Sequence, residues 1–289
     1  MTKVEPQLLA LDIDGTLMDD DGVIPARNVA ALSALRDRGV AVVLSSGRAL
    51  VSIRTVAAGM FLPCERDYYI AFNGALVAGH GRRRPIWATT LEPAVIREVA
   101  AYAREHGLVL QGYRAEEFVV ERDSPESQAY AEGTGMPYHV VEDMAAAVPG
   151  GSPKLLAIGD PRQLLCHAEA LRSLGRGAAV VDGDVSASGD SAPRFITTFS
   201  KPHYLEIMPP GVTKGEGLRR LCEYLDVPLE AVVAVGDSLN DVEMLTEAGV
   251  GVAVGNAREA VKARANAVIE ETAGDGAVAA VVDRYFGVL

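Results

Sequence analysis

Short runs of consecutive apolar residues recur along the chain, and each run has the length of a β-strand. In the first and last parts of the chain these runs are 8–11, 40–44, 68–72, 232–235 and 250–254. A run without polar alternation is typical of a strand that is covered on both faces of its sheet. Helical patterns separate some of the runs, at 27–38, 218–225 and 242–248. This alternation predicts an α/β fold with a doubly wound parallel sheet.

The middle of the chain has a different pattern, which indicates a second domain inserted into the first. Two stretches of turn-forming and polar residues, 79–85 and 182–193, are predicted linkers. Between them the candidate strands are 86–90, 108–113, 118–121, 138–141, 154–158 and 178–181, and the candidate helices are 93–106 and 163–174. We therefore predict an inserted α/β domain at 85–200 and a core formed by 1–84 and 201–289.

Polar residues collect where four predicted strands of the core end. They are Asp12 and Asp14 after the first strand, Ser46, Gly47 and Arg48 after the second, Asn73 after the third, and Asp237, Asn240 and Asp241 after the fourth. Ligands of an open parallel sheet bind beyond the carboxyl ends of its strands. One topology brings all four groups to a single edge, which we predict to be the functional site.

The carboxylates of this edge predict a hard cation. Asp12 and Asp14 are two residues apart and point the same way for as long as the strand continues. Asp237 and Asp241 join them from another strand, and four carboxylates in one place repel each other without a cation. Oxygen ligands without histidine or cysteine select an ion such as Mg2+, which keeps positions open for water or a phosphate oxygen.

A seat for phosphate is also predicted at this edge. Ser46, Gly47 and Asn240 lie at or near predicted helix N-termini, where free backbone N–H groups and the helix dipole favour anions. Lys214 adds a positive charge in the first turn of another helix, and Thr213 with Glu216 forms the pattern of a capping box there. A metal, anion donors, a cation and a nucleophile are the parts that phosphoryl transfer needs.

The composition limits which binding partners and which cellular location are expected. The chain has 289 residues with a net charge of −12, and an acidic protein is a poor default binder of nucleic acids or anionic membranes. The three cysteines are widely spaced, no apolar run reaches the ~18 residues of a membrane span, and no signal-peptide pattern opens the chain. We expect a cytoplasmic protein. The basic run 82–84 is interpreted as a solvated turn, with contact to an anion as the alternative.

The motifs resemble those of the haloacid dehalogenase superfamily. Residues 12–16 (DIDGT) match its first motif, 46–48 (SGR) stand at the second, Lys214 at the third, and 236–241 (GDSLND) at the fourth. The further segments that resemble the Cof-type phosphatases with a C2B cap are 73–75 (NGA), 205–207 (LEI), 211–215 (GVTKG) and 251–257 (GVAVGNA). The second motif often has threonine where this chain has Ser46, and both residues supply a hydroxyl. The resemblance covers 7–84 and 201–285, and four motifs in order make it specific.

The resemblance implies a role for each motif residue. Asp12 is the expected nucleophile, which forms an aspartyl-phosphate, and Asp14 is the expected general acid and then general base. The implied Mg2+ ligands are Asp12, the main-chain carbonyl of Asp14, and Asp237, with Asp241 in support. The implied phosphate contacts are Ser46, Lys214 and Asn240, and further candidates for substrate or phosphate binding are Gly47, Arg48 and Asn73.

Together these observations predict a Mg2+-dependent phosphatase that hydrolyses a small phosphorylated metabolite. The alternatives are a phosphomutase, which needs a bisphosphate activator, a dehalogenase, which Asp14 disfavours, and an inactive phosphate-binding module. The substrate stays open among sugar phosphates, sugar-acid phosphates, and flavin or pyridoxal phosphates. The inserted domain is expected to set that choice by closing over the catalytic edge. The sequence does not distinguish a monomer from a homodimer.

Overall fold

The computed structural model describes residues 5–60, 64–114, 116–176, 179–181, 184–186 and 192–287. The strands, in chain order, are β1 (Leu8–Asp12), β2 (Ala41–Ser45), β3 (Asp67–Ala71), β4 (Leu76–Gly79), β5 (Trp87–Ala88), β6 (Val109–Arg114), β7 (Glu117–Val120), β8 (Tyr138–Val140), β9 (Leu155–Ile158), β10 (Ala179–Val181), β11 (Asp184–Ser186), β12 (Ile196–Lys201), β13 (Tyr204–Met208), β14 (Val232–Gly236), β15 (Val250–Ala253) and β16 (Ala267–Val268). The α-helices are α1 (Ala26–Asp37), α2 (Leu50–Met60), α3 (Pro93–Glu105), α4 (Pro125–Thr134), α5 (Met144–Ala147), α6 (Pro161–Arg176), α7 (Lys214–Leu225), α8 (Val242–Glu247), α9 (Glu259–Lys262) and α10 (Ala277–Phe286). Among the described helices, none is both long and apolar enough to cross a membrane.

The chain divides into two compact units. The first unit comprises Met1–Ala88 and Val212–Leu289, and the second comprises Thr89–Gly211. The boundary that we predicted at residue 200 falls inside β12, because β12 pairs with β13 and β13 pairs with β9 in the sheet of the second unit. Residues 201–211, which were expected in the core, therefore belong to the second unit.

The two predicted linkers do not coincide with the limits of the units. The stretch 79–85 forms the connection of the antiparallel pair β4–β5, so it lies within the first unit. The stretch 182–193 lies largely outside the described residues, and its described part includes β11, which pairs with β10. Residue 178, the start of a predicted strand, also lies outside them.

The first unit is built on an eight-stranded sheet of order β16-β15-β14-β1-β2-β3-β4-β5. The six strands from β16 to β3 are parallel, and β4 and β5 are antiparallel additions at one edge. The early strands extend the sheet to one side of β1 and the late strands extend it to the other. The strand order therefore reverses between β1 and β14, and such a reversal is where doubly wound sheets bind ligands. The predicted fold class is confirmed.

Burial explains why the apolar runs form this sheet. All residues of β1, β2, β3 and β14 are buried, so side chains on both faces of these strands are covered. Helix α1 packs against α10, and α7 packs against α8. Leu32 and Leu35 of α1 and Leu218 and Leu221 of α7 are fully buried, and each such side chain stabilises the fold by about 1.5–3 kcal/mol.

The second unit has a six-stranded sheet of order β12-β13-β9-β6-β7-β8. Its pairs are antiparallel except β7–β8, which is parallel. One hydrophobic core joins this sheet to α3, α5 and α6, with Ile96, Met144 and Leu164 among its fully buried members. The inserted α/β pattern predicted for the middle of the chain is therefore present, with a mostly antiparallel sheet.

A buried ion pair with polar neighbours lies within the second unit. Lys154 Nζ lies 2.7 Å from Glu206 Oε1, and both side chains are buried. The Lys154 ammonium also stands 5.5 Å from the centre of the Tyr113 ring, and the Tyr113 hydroxyl donates to the Tyr130 hydroxyl over 2.9 Å. The Gln111 side chain is buried nearby in the sheet, and its amide has no hydrogen-bond partner among the described residues. The Lys154–Glu206 ion pair therefore lies in a buried environment of low dielectric, where the attraction between its charges is stronger than in water.

Candidate active site

The four predicted groups lie at one edge of the first unit's sheet. In the register of the sheet, Leu11 of β1 stands beside Val235 of β14, and Asp12 stands beside Ser45 of β2. Each parallel strand reaches its carboxyl end there, and the polar residues follow immediately. The topology thus brings the motifs together as the sequence predicted, at the reversal of strand order.

Lys214 joins two carboxylates at the centre of this edge. Its Nζ lies 2.5 Å from Asp12 Oδ1 and 2.6 Å from Asp241 Oδ1. All three side chains are buried, so these ion pairs are shielded from solvent. A buried ammonium with two carboxylate partners is held in one position, which suits a group that must meet a phosphate.

Local backbone geometry places Lys214 at the first turn of α7. The Thr213 hydroxyl accepts a hydrogen bond of 3.0 Å from the Glu216 N–H, which confirms this part of the predicted cap and begins the helix at Lys214. The turn at Phe72–Gly74 packs against this helix start. Gly74 has φ +105°, and a Cβ atom there would overlap the carbonyl oxygen of Thr213. Only glycine therefore permits this approach of the two segments.

The charges of this cluster are unbalanced. Burial raises the pKa of Asp12 well above its usual range, the Asp241 carboxylate raises it further, and Lys214 opposes both. Burial alone lowers the pKa of Lys214, but the Asp12 and Asp241 carboxylates outweigh it and raise the pKa. Burial and the Asp241 carboxylate also raise the pKa of Asp237. One lysine does not compensate three neighbouring carboxylates, so the cluster favours an additional cation.

The donor atoms fit a hard divalent ion. One oxygen from each of Asp12, Asp237 and Asp241 lies within 4.8 Å of the other two. Asp12 Oδ2 is buried and has no hydrogen-bond partner among the described residues, so it is available as a ligand. The hydroxyls of Thr16 and Ser238 donate to the two Asp237 oxygens over 3.1 Å and 2.8 Å, which orients that carboxylate. An all-oxygen set of this kind suits Mg2+.

Asp241 is engaged more fully than the other two carboxylates. Its Oδ1 accepts from Lys214, and its Oδ2 accepts from the backbone N–H groups of Asp237 and Ser238 over 3.1 Å and 2.9 Å. These bonds tie the loop after β14 to the lysine. The expected supporting role of Asp241 beside a metal ion stays a prediction.

Asp14 differs from the expectation that it points the same way as Asp12. Strand β1 ends at Asp12, so the alternation of the strand no longer applies two residues later. The Asp14 side chain is half exposed and accepts from Arg48 Nε and Nη2 over 2.8 Å and 2.5 Å. Its carboxylate is therefore apart from the three-carboxylate cluster and is held by Arg48, which had been a candidate for phosphate binding. The role of its main-chain carbonyl stays a prediction.

The remaining candidates form a connected group beside the cluster. Ser46 is buried, its hydroxyl accepts from the Arg48 N–H over 3.2 Å, and its carbonyl accepts from the Asn73 N–H over 3.0 Å. Asn73 adopts left-handed backbone angles, and its Oδ1 accepts from Asn240 Nδ2 over 3.0 Å. A Cβ atom on Gly47 would lie 3.1 Å from the Asn73 amide. The structure thus joins the second motif to Asn73 and Asn240.

Two residues of the site had no role predicted from the sequence. Thr16 and Ser238 are the residues that orient Asp237, and they belong to the first and fourth motifs. The sequence offered a signal for each, since Ser238 directly follows Asp237 and Thr16 stands two residues after Asp14. A pattern does not reveal that the Thr16 hydroxyl, in the turn after β1, reaches a carboxylate that follows β14.

Comparison with known proteins places the chain in a family. The family model of the haloacid dehalogenase-like hydrolases matches residues 9–282. The chain therefore belongs to the haloacid dehalogenase-like hydrolases. The resemblance seen in the motifs is confirmed, and with it the enzyme class, a phosphoric monoester hydrolase.

Individual relatives agree with this assignment over nearly their whole length. The chain is similar to the 5-amino-6-(5-phospho-D-ribitylamino)uracil phosphatase YitU of Bacillus subtilis, with 30% identity over 294 residues, 98% of this chain and 99% of the relative. YcsE of the same organism, a phosphatase with the same named substrate, is 28% identical over 282 residues, 96% of this chain and 95% of the relative. A crystal structure from Thermotoga maritima matches with a TM-score of 0.82 and 30% identity, covering 96% of this chain and 97% of that chain.

Proposed function

We propose that this enzyme hydrolyses a small phosphorylated metabolite through an aspartyl-phosphate on Asp12, with Mg2+ at the carboxylate cluster. The observation that carries the proposal is the state of the Asp12 carboxylate. Its Oδ1 is held by Lys214, while its buried Oδ2 has no hydrogen-bond partner among the described residues. A carboxylate that is fixed in this way can attack a phosphorus atom through one oxygen while its other oxygen would meet the metal.

The first step transfers the phosphoryl group to the enzyme. A carboxylate oxygen of Asp12 attacks phosphorus, the Asp12 O–P bond forms, and the bond between phosphorus and the ester oxygen breaks. The leaving oxygen takes a proton from Asp14. Lys214 stabilises the charge on the transferring group, and a bound Mg2+ neutralises part of the negative charge of the phosphate.

The second step restores the enzyme. Water attacks phosphorus, Asp14 takes the proton from that water, and the Asp12 O–P bond breaks to release inorganic phosphate. Asp14 thus serves as acid and then as base. The proton that Asp14 gives in the first step is the one that it took from water in the previous cycle, and protonation weakens its ion pair with Arg48, so Asp14 leaves Arg48 before the leaving oxygen takes the proton. We therefore give Arg48 the role of orienting Asp14, and its expected contact with the phosphate stays a prediction.

The connected group beside the cluster suits the phosphate itself. Ser46 and Asn240 lie next to Asn73, and their N–H and hydroxyl groups are the donors expected to hold the phosphoryl oxygens. These side chains come from three different strand ends. A phosphate at this edge would therefore meet Lys214 on one side and amide or hydroxyl donors on the other.

A phosphate-release screen with Mg2+ tests the proposal. The panel begins with 5-amino-6-(5-phospho-D-ribitylamino)uracil, because two full-length relatives are named for it, and continues with sugar phosphates and flavin or pyridoxal phosphates. We expect at least one metabolite to release inorganic phosphate without a bisphosphate activator, and Asp12→Asn to lower that rate by at least ~10³-fold. Release that depends on a bisphosphate identifies the phosphomutase alternative instead. An unchanged rate in Asp12→Asn rejects the proposed nucleophile.

A further inference from the structure

A cavity of about 800 Å³ lies in the first unit, away from the catalytic edge. Its lining comes from the segments just before β1, β2 and β3, the turn after β4, and the segment after α7. Because β1, β2 and β3 run parallel, these segments lie at the amino ends of the strands. A five-residue strand, about 16 Å long, separates this edge from the carboxylate cluster. The cavity is therefore distinct from the proposed phosphoryl site.

The cavity is positively charged although the protein is acidic. Its charged lining residues are Arg38, Arg66 and Arg82 with one carboxylate, Glu65, and His80 adds a titratable ring. Within the part of the chain that the structure describes, none of the three guanidinium groups has a carboxylate partner. The net charge of the chain is −12, so a cluster of cations here is opposite in sign to the charge of the protein as a whole. Such a local excess of positive charge favours an anionic ligand.

Neutral contacts hold each guanidinium in place. Arg66 Nη1 donates to the Gly39 carbonyl over 2.7 Å, and Arg38 Nη1 donates to two carbonyls at the end of α10 over 2.9 Å and 3.1 Å. The Arg82 guanidinium stands 5.0 Å from the centre of the Tyr224 ring. These contacts use only part of the donor capacity of each group and leave the positive charge uncompensated. Side chains held before a ligand arrives lose less entropy on binding it.

The Tyr68 hydroxyl adds evidence that two of these cations converge. Burial raises the pKa of Tyr68, and the Arg82 and Arg66 guanidiniums oppose that effect. Both cations therefore act on one point of the lining, although they come from different segments of the chain. Convergence of this kind is what a ligand with several anionic oxygens requires.

We propose that this cavity is a second binding site, for a small molecule that carries two or more phosphate or carboxylate groups. Guanidinium groups bind either group through paired hydrogen bonds, and small-ligand sites are commonly about 300–1,000 Å³ in volume. The three arginines at 82–84 therefore differ in their surroundings. Arg82 lines the cavity, whereas Arg83 and Arg84 do not.

Calorimetric titration of the full chain tests the site. The probes are methylenediphosphonate, which has no hydrolysable P–O–P bond, and tricarballylate, a tricarboxylate. The buffer contains no Mg2+, because the three carboxylates of the catalytic edge then repel both probes. We expect the wild-type chain to bind at least one probe, and Arg66→Gln with Arg82→Gln to weaken that binding about tenfold or more. The matched control, Arg83→Gln with Arg84→Gln, removes equal charge outside the lining and keeps wild-type affinity.

Asp12→Asn separates this site from the catalytic one. Binding that persists in this variant and is still weakened when Arg66→Gln and Arg82→Gln are added supports a second site, whether or not the chain turns over any phosphate ester. The two probes show which anionic group the cavity prefers. Arg82→Gln alone provides the test if the double variant does not fold, because Arg82 is exposed. Three results would overturn the inference. They are failure of both probes to bind, wild-type affinity in the Arg66→Gln and Arg82→Gln variants, and loss of binding in Asp12→Asn.

Discussion

Asp12 and Asp14 are two residues apart and occupy opposite environments. Asp12 ends a buried strand and faces Lys214, while Asp14 lies beyond the strand, half exposed and bound to Arg48. Two carboxylates in different surroundings can serve different functions in one reaction. This contrast is the reason for proposing Asp12 as the nucleophile and Asp14 as the acid and base.

Replacing Asp14 by asparagine is expected to affect substrates according to their leaving groups. An alkyl oxygen needs a proton as it leaves and p-nitrophenolate does not, so we expect a loss of about 10²–10⁴-fold for alkyl phosphates and a smaller loss for p-nitrophenyl phosphate. Arg48→Ala should show the same preference in weaker form, because Arg48 orients Asp14. The measurement is steady-state turnover of both substrates by each variant. Equal losses on the two substrates would show that Asp14 is structural.

The sequence predicted which residues act but not how each is oriented. The motif 12–16 identified both aspartates. The strand period does not show that β1 ends at Asp12, because that end depends on the turn that follows. The contact between Arg48 and Asp14 joins residues from two strand ends and has no local signal. Motifs specify residue types, and the folded backbone then determines the pairs.

Gly74 links two elements of the site. Its positive φ and its contact with the Thr213 carbonyl place the turn after β3 against the start of α7, which carries Lys214. Gly74→Ala is expected to lower the free energy of unfolding by about 3 kcal/mol and to reduce turnover, because the two segments must separate. Gly107→Ala is the matched control, since Gly107 also has a positive φ but no atom near its would-be Cβ. Thermal unfolding and turnover of both variants test this, and equal behaviour of the two would contradict it.

The buried Lys154–Glu206 pair supports the sheet of the second unit. Lys154→Met leaves the Glu206 carboxylate buried without its cation, which we expect to destabilise the protein by about 3–5 kcal/mol. Replacing both residues, by Met and Leu, should recover much of this loss. Arg194→Gln breaks an exposed pair with Glu98 and should change stability by less than about 1 kcal/mol. Urea unfolding followed by circular dichroism measures all three, and a Lys154→Met midpoint close to that of Arg194→Gln would refute the expectation.

The elements that were predicted well are those with local signals. Five apolar runs became β1, β2, β3, β14 and β15, and the helical patterns became parts of α1, α3, α6, α7 and α8. Residues 204–208 were not predicted as a strand and were expected in the core, because the position of β13 depends on pairing with β9, far earlier in the chain. Glu206 interrupts its apolar run, and the buried partner of Glu206 lies 52 residues away. Neither a period nor a composition reports such a distant contact.

At the scale of the whole molecule, catalysis is expected to depend on a divalent cation. One lysine faces three carboxylates at the catalytic edge, so turnover should fall to background in EDTA and return with Mg2+. Asp237→Asn should weaken the response to Mg2+, seen as a higher Mg2+ concentration for half-maximal rate. Ser127→Ala, in the second unit, serves as a control that keeps the wild-type response. Full turnover in metal-free buffer would contradict the assignment of the cluster.

The central claim is that the phosphoryl group passes through Asp12, and trapping the phospho-enzyme tests it most directly. The Asp14→Asn variant lacks the base for the second step, so it should accumulate the intermediate when mixed with a substrate that has a good leaving group. Rapid acid quench followed by peptide mass spectrometry locates the adduct. The account predicts one phosphoryl group on the peptide that contains Asp12, and none when Asp12 is also changed to Asn. An adduct on another residue, or turnover with no adduct at any time, would contradict it.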